Sequence, residues 1–169
     1  MGTVAVAATH GEVKTLATRV LEARNVPFQV MTYEVVEHLP AAEVAGVLGL
    51  DAGQTFKTLV VLPERPHAKP ILALLPGDST LDLKKLAAAS NEKKVRMASH
   101  KEAEHLTGLE KGGISPLALL DRGWPIIIDE TIILFDRIEI SAGKVGVGVI
   151  VEVEGLLRVL HAKQADIIS

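Results

Sequence analysis

Hydrophobic and polar positions follow two different periods along the chain, which predicts a domain built from both helices and strands. Apolar residues recur at helical spacing in five segments, and each predicts a helix: residues 12–24, 40–50, 82–89, 99–106 and 154–160. Short polar residues at the start of two of these segments are typical helix caps. Ser99 is the predicted cap of its helix, and Ser79 or Thr80 is the predicted cap of the helix from residue 82.

Short apolar or β-branched runs between these helices predict strands, because several are bounded by Gly, Pro or Asp. They cover residues 28–36, 58–62, 71–75, 94–98, 125–129, 134–141 and 149–153. Residues 1–10 are expected to be a leader, and residues 11–169 to form the domain. The predicted fold class is α/β of the α+β type, a single domain with a mixed, largely antiparallel sheet flanked by helices.

Composition narrows the class of protein. The chain has 169 residues, 48% hydrophobic and 23% charged, as expected of one globular domain. It has no cysteine, which excludes disulfides, thiolate catalysis and cysteine-ligated metals. A net charge of -3 argues against non-specific coating of nucleic acid but leaves recognition of an RNA end open. No apolar run approaches the roughly 20 residues of a membrane span, so we expect a soluble, cytoplasmic protein.

The stretch Gly112-Gly113-Ile114-Ser115-Pro116 predicts a rigid loop with exposed backbone N–H groups. Glycine permits close approach to the main chain, and proline fixes its own φ angle. Such a loop suits an anion or a polarised carbonyl. An ordinary turn is the alternative, because Gly and Pro mark turns everywhere.

Lys57 directly precedes the apolar run that predicts a buried strand, and Thr55 and Thr58 stand beside it. A lysine at this position is desolvated unless its amino group reaches a cleft. One interpretation is a cation directed at a phosphate or an ester carbonyl. The other is a lysine at a strand end that extends to solvent.

Other catalytic motifs are absent or ambiguous. The six histidines are scattered without metal-ligand spacing, and Ser115 does not lie in a G-x-S-x-G motif. Asp129 follows three isoleucines and is either an active-site acid or, the favoured interpretation, a turn former at a strand end. The glycine-rich residues 143–148 have the wrong order for a nucleotide loop and predict a hairpin turn.

Several ordered blocks resemble the YbaK/EbsC family, free-standing aminoacyl-tRNA deacylases related to the editing domain of bacterial prolyl-tRNA synthetases. The blocks are TFKTLV (55–60), LDLKKLAAA (81–89), KKVRMAS (93–99), TGLEKGGISPLAL (107–119) and PIIIDETIILFDRIEISAGKVG (125–146). The resemblance implies one cleft that holds the aminoacylated 3′ end of tRNA and hydrolyses its ester bond. It implies no metal or cofactor, with water or a group on the substrate as the attacking species.

The resemblance also implies roles for individual residues. The family's essential lysine falls on Lys57, which would anchor the terminal phosphate or the ester region, and its glycine loop falls on residues 112–116. Its cleft tyrosine, threonine and serine fall on Tyr33, Thr58 and Ser141. The expected catalytic group is therefore Lys57 with Gly112 and Gly113. The expected substrate-binding residues are Tyr33, Thr58, Ile114, Ser115, Pro116, Asp129 and Ser141.

Three positions depart from the family pattern, namely Leu109, Ala118 and Gly148, the last of which replaces an acidic residue of some close members. Because a small pocket discriminates side chains by only about 1–3 kcal/mol, these changes could shift the amino-acid preference. The expected function is trans-editing hydrolysis of mischarged aminoacyl-tRNA, with Cys-tRNA(Pro) as the main expected substrate. The alternatives are a deacylase for alanine or another small amino acid, a non-catalytic module that binds a tRNA end or a synthetase, and an esterase or phosphate-ligand protein for small molecules. Whether prolyl-tRNA synthetase takes part is left open.

Overall fold

Two β-sheets form the framework of the protein in a computed structural model that describes residues 6–9, 13–33, 45–46 and 49–169. The first sheet is antiparallel, with the strand order β1 (Val6–Thr9), β2 (Phe28–Tyr33), β8 (Val147–Glu152) and β7 (Arg137–Lys144). The second has the order β5 (Val95–Met97), β3 (Phe56–Pro63), β4 (Ile71–Pro76), β6 (Ile126–Asp129) and β9 (Lys163–Ala165). In it, β6 runs parallel to both β4 and β9, whereas β3 is antiparallel to β4 and β5.

Helices connect and cover these sheets. They are α1 (Leu16–Ala23), α2 (Leu83–Ala89), α3 (His100–Thr107) and α4 (Val153–Leu160), with 3₁₀ segments at Ala52–Gln54, Pro116–Arg122 and Glu130–Leu134. Ser99 caps α3 as predicted, and Glu102 bonds back to the Ser99 N–H in a capping box. The predicted cap of α2 is wrong, because Asp82 accepts from the Lys84 and Lys85 N–H groups, each at 3.0 Å. Among the described segments, no helix is long and apolar enough to cross a membrane.

Strand β4 lies at the centre of the core, because apolar side chains pack against both of its faces. Leu72 and Leu74 belong to a large apolar cluster that also includes residues of α1, β7 and β8. Ile71 and Ala73 point the other way, into a smaller cluster with Leu86 of α2. The alternation follows from the period of two in a strand, and it explains why all six residues of β4 are buried.

The predicted α/β single domain with mixed strand pairing is confirmed, although its strands form two sheets rather than one. Seven predicted strands coincide at least in part with β2 to β8, and the predicted turn in residues 143–148 joins β7 to β8. Residues 6–9 of the expected leader instead form β1, which pairs with β2. The strand β9 and the 3₁₀ segments were not predicted. Residues 34–36 of the predicted second strand, and most of the predicted helix at 40–50, lie outside the described residues.

Helix α4 packs closely against the turn that follows α1. A Cβ atom added at Gly155 would lie 2.6 Å from Cγ1 and 3.1 Å from Cγ2 of Val26. Val26 is buried and β-branched, so its side chain has little freedom to move away. Position 155 therefore has no room for a side chain larger than that of glycine.

We expect Gly155→Ala to lower the free energy of unfolding by about 1–3 kcal/mol, because it overpacks this contact. Urea unfolding followed by circular dichroism measures the change. A second substitution, Val26→Ala, should make the loss from Gly155→Ala smaller. Gly46→Ala is the matched control, because a Cβ there would have no atom within 4 Å. Equal losses for the two glycine variants would contradict the packing argument.

Candidate active site

A cavity of about 320 Å³ opens where the start of β3 meets β7, α3 and the loop at residues 112–114. Six of the ten predicted site residues line it: Tyr33, Lys57, Thr58, Gly112, Ile114 and Ser141. These residues come from four separate segments of the chain, so the fold brings residues that are distant in the sequence into one cavity. The volume is at the lower end of small-molecule pockets, which measure about 300–1,000 Å³.

Lys57 places a cation in this cavity without a paired carboxylate. Its Nζ donates to the carbonyls of Ser79 at 2.7 Å and Gly77 at 3.3 Å, both in the turn after β4. No carboxylate of the described chain lies within ion-pair distance of it. Desolvation lowers the pKa of Lys57, and the more distant Asp78 partly opposes this effect. An ammonium group has three donors, so one remains for a ligand.

The glycine loop has the shape that the sequence predicts, but its N–H groups are not equivalent. Gly112 has a φ of 84°, in the region that favours glycine. The Gly113 N–H donates to the Glu110 carbonyl at 2.8 Å and is therefore already satisfied. Gly113 also lies against the backbone of the β7–β8 turn, where an added Cβ would be 3.1 Å from Val145 N. Within the described part of the chain, the N–H groups of Gly112 and Ile114 have no hydrogen-bond partner.

Ser115 and Pro116 are fully or almost fully buried and do not line the cavity. The Ser115 hydroxyl accepts from the Leu117 N–H at 3.3 Å and caps the 3₁₀ segment that begins at Pro116. Both residues therefore fix the end of the loop rather than present groups to the cavity. Ser115 and Pro116 were predicted to contact the substrate, but their buried positions outside the cavity do not fit that role.

Asp129 also lies away from the cavity, completely buried at the end of β6. One carboxylate oxygen accepts from the Thr131 hydroxyl at 2.6 Å and its N–H at 3.1 Å, and the other from the Ile167 N–H at 3.0 Å. With both oxygens occupied, Asp129 closes a turn and holds the C-terminal segment. The prediction that it binds substrate is corrected accordingly, and the alternative of a strand-end turn former fits these contacts.

Tyr33 and Ser141 stand beside a carboxyl group that the sequence analysis missed. Burial, and secondarily the charge of Glu139, raise the pKa of Tyr33 to about 12. Glu139 itself is 3% exposed and lines the cavity, and burial raises the pKa of its carboxyl to about 8. The Ser141 hydroxyl accepts from the Gly143 N–H at 3.2 Å, at the irregularity in β7.

Gly148, which stands opposite Ser141 in the neighbouring strand, provides the room for Glu139. A Cβ atom added at Gly148 would lie 3.2 Å from Glu139 Cδ and collide with Oε1. The sequence signal that could have found Glu139 is its position in the middle of a predicted strand, between Ile138 and Ile140. Both isoleucines are completely buried in the structure. A charged residue is rarely fully buried unless it has a partner, so such a position is a candidate for binding a ligand.

The chain matches a known family model over most of its length. The model of the aminoacyl-tRNA editing domain covers residues 37–159. The chain therefore belongs to the aminoacyl-tRNA editing domain family, and the resemblance inferred from its motifs is confirmed. The predicted class of enzyme, a deacylase of aminoacyl-tRNA, is confirmed at the level of this family.

Individual relatives agree with this assignment. The EbsC protein of Enterococcus faecalis, named as a candidate Cys-tRNA(Pro)/Cys-tRNA(Cys) deacylase, is 37% identical over 155 residues, 91% of this chain and 93% of that protein. The multifunctional Ser/Thr-tRNA deacylase ProXp-y of Escherichia coli is 29% identical, over 82% of this chain and 83% of its own. A solved structure described as a candidate trans-editing enzyme for prolyl-tRNA synthetase superposes with a TM-score of 0.77 at 26% identity, covering 94% of this chain and 99% of its own.

The buried carboxyl of Glu139 predicts a pH-dependent stability. Its pKa is about 8 in the folded protein, against a usual value of 4.5. Between these values the folded protein holds a proton that the unfolded chain has released, so stability falls as the pH rises. The expected slope approaches about 1.4 kcal/mol per pH unit.

Urea unfolding at several values between about pH 5 and about pH 8 tests this against Glu139→Gln, which cannot titrate. The variant should gain stability relative to the wild type as the pH rises. Parallel curves for the two proteins would show that Glu139 does not carry this proton.

Proposed function

We propose that this protein hydrolyses the ester bond of mischarged aminoacyl-tRNA, with Cys-tRNA(Pro) as its main substrate. The observation that carries the proposal is the ammonium group of Lys57, which has no carboxylate partner among the described residues. It lies in the same cavity as Gly112 and Ile114, whose N–H groups have no partner in that part of the chain. A phosphate or an ester oxygen needs such a cation, and an ester carbonyl that gains negative charge needs such donors. Family membership and the names of the two deacylase relatives support the same reaction.

In this proposal Lys57 binds the terminal phosphate or the ester region of the tRNA end. The N–H groups of Gly112 and Ile114 then face the carbonyl of the ester and stabilise the oxyanion that forms on attack. Thr58, Tyr33 and Ser141 supply further polar groups along the same wall. The protein supplies position and charge, and the attacking group is water or a group of the substrate. An aminoacyl ester is already activated, so orientation and a fixed electrostatic environment suffice.

The substitution Lys57→Ala tests this role directly. We expect a loss of about 10- to 100-fold in kcat/KM for Cys-tRNA(Pro), the value of one or two charge-assisted hydrogen bonds. Lys57→Arg keeps the charge but changes its geometry, and should recover part of the loss. Lys14→Ala is the control, because Lys14 is exposed and pairs with Glu22 outside the cavity. Unchanged deacylation by folded Lys57→Ala would overturn the role given to this lysine.

A panel of charged tRNAs separates the proposed substrate from its rivals. We expect wild-type protein to hydrolyse Cys-tRNA(Pro) faster than Ala-, Ser-, Thr- or Pro-tRNA(Pro), because the relative EbsC is named for cysteine. The preference over the similarly small alanine and serine should correspond to only about 1–3 kcal/mol. Serine and threonine belong in the panel because one relative is named for them. Each reaction is run with and without prolyl-tRNA synthetase. Binding of tRNA without hydrolysis of any ester would favour a binding module over an enzyme.

A further inference from the structure

Within the described part of the chain, two buried polar side chains on the cavity wall have no hydrogen-bond partner. Thr55 is 2% exposed, and its hydroxyl makes no hydrogen bond. Glu139 is 3% exposed, and no described residue donates a hydrogen bond to its carboxyl or pairs with its charge. Both line the cavity, and a parallel bridge pairs their backbones. Buried polar groups of native proteins are nearly always satisfied, so the unsatisfied Thr55 hydroxyl, beside a carboxyl that has no described partner in the same cavity, indicates a ligand.

The backbone around Glu139 is arranged to hold its carboxyl in this place. Gly148 has no positive φ angle, so its conformation does not require glycine. The space above its Cα atom is filled by the Glu139 carboxyl, which any side chain at this position would displace. The absence of a side chain at Gly148 in the neighbouring strand therefore leaves the space that the Glu139 carboxyl occupies beside the cavity.

The buried carboxyl of Glu139 itself favours a cationic ligand at its position. The titratable groups that share the cavity are Tyr33 of β2, Lys57 of β3, His100 and Glu104 of α3, and Lys111. Among the described residues, none of these groups forms an ion pair with Glu139, although its charge is felt by Tyr33. Burial makes the ionisation of Glu139 costly. A cation that enters the cavity offsets this cost, whereas an anion would increase it.

The proposed substrate carries such a cation next to its reacting carbonyl. An aminoacyl ester has an α-ammonium group on the carbon beside the ester, while the phosphates of the tRNA end lie on the other side. Lys57 and Glu139 give the cavity one group for each of these charges. An ammonium group has three N–H donors, and both the carboxylate and the hydroxyl can accept from it.

We propose that Glu139 and Thr55 form the subsite that binds the α-ammonium group of the aminoacyl ester, an inference that rests on the proposed function. On binding, the neutral Glu139 carboxyl releases its proton to solvent, and the carboxylate then accepts from the ammonium. Thr55 accepts a second N–H. The subsite therefore selects aminoacyl esters over esters without a free amino group, and it orients the carbonyl toward the glycine loop.

The experiment compares Cys-tRNA(Pro) with its α-hydroxy counterpart, in which a hydroxyl replaces the amino group. We expect wild-type protein to prefer the amino ester by about 10- to 100-fold in kcat/KM, mostly through KM, the value of one charge-assisted hydrogen bond. Glu139→Gln should bring this ratio close to one. Glutamine has the size of the neutral acid, so the fold should be retained.

Matched variants separate the subsite from general damage to the cavity. Glu104→Gln removes another carboxyl from the cavity lining and should keep the preference for the amino ester. Thr55→Val, in which a methyl replaces an unbonded hydroxyl, should reduce the preference without unfolding the protein. It serves as the second probe if Glu139→Gln does not fold.

The outcomes distinguish the two proposals. Hydrolysis of neither ester by wild-type protein would overturn the proposed function, and the subsite with it. Equal hydrolysis of both esters by wild type would overturn the subsite alone. An unchanged preference in folded Glu139→Gln, or in folded Thr55→Val if the first variant fails to fold, would do the same. A preference that depends on Glu139 and not on Glu104 would support the subsite.

Discussion

The arrangement of the site depends on Thr55, the residue at which the two sheets meet. Its backbone pairs with Glu139 of β7, and its carbonyl accepts from the Gly77 N–H at 2.7 Å. Lys57 follows two residues later, and the carbonyls of Gly77 and Ser79 hold its ammonium group. One short backbone segment therefore positions the acid, the lysine and the turn that orients the lysine. A shift of one residue in β3 would turn Lys57 to the opposite face of its sheet.

The cavity contains a cation and an acid that do not neutralise each other. Lys57 is held by carbonyls, and Glu139 has no hydrogen-bond partner in the described part of the chain. Burying such groups separately costs stability, because an unpaired polar group in an apolar surrounding lacks the compensation that water provided. Under the proposed function the tRNA end supplies both missing partners. Under that proposal, substrate binding would recover part of this cost.

Local signals in the sequence were sufficient for most elements, and together with the family resemblance they pointed to six residues that line the cavity. Apolar runs predicted the strands from β2 to β8, and Ser99 was correctly predicted as a cap, because these signals act over a few residues. Glu139 was missed, because its environment depends on the pairing of β7 with β8 across an irregularity near Ser141. The glycine that makes room for it lies nine positions along the chain, in the other strand. Asp129 was assigned to the substrate in error, because a strand-end carboxylate has the same local sequence whether it binds a ligand or closes a turn.

The distribution of polar groups also limits how this cavity can select an amino acid. Under the two proposals, Lys57, the glycine loop and Glu139 bind parts that every aminoacyl ester has, so none of them would distinguish one side chain from another. The remaining wall is largely apolar, with contributions from Val60, Ala98 and Ala103. Apolar walls exclude large side chains by size but separate small ones by only about 1–3 kcal/mol. Discrimination among tRNAs must then come from contacts outside this cavity, on this chain or on a partner, because the cavity would meet only the aminoacyl end. A net charge of -3 gives the chain little general affinity for RNA to add to such contacts.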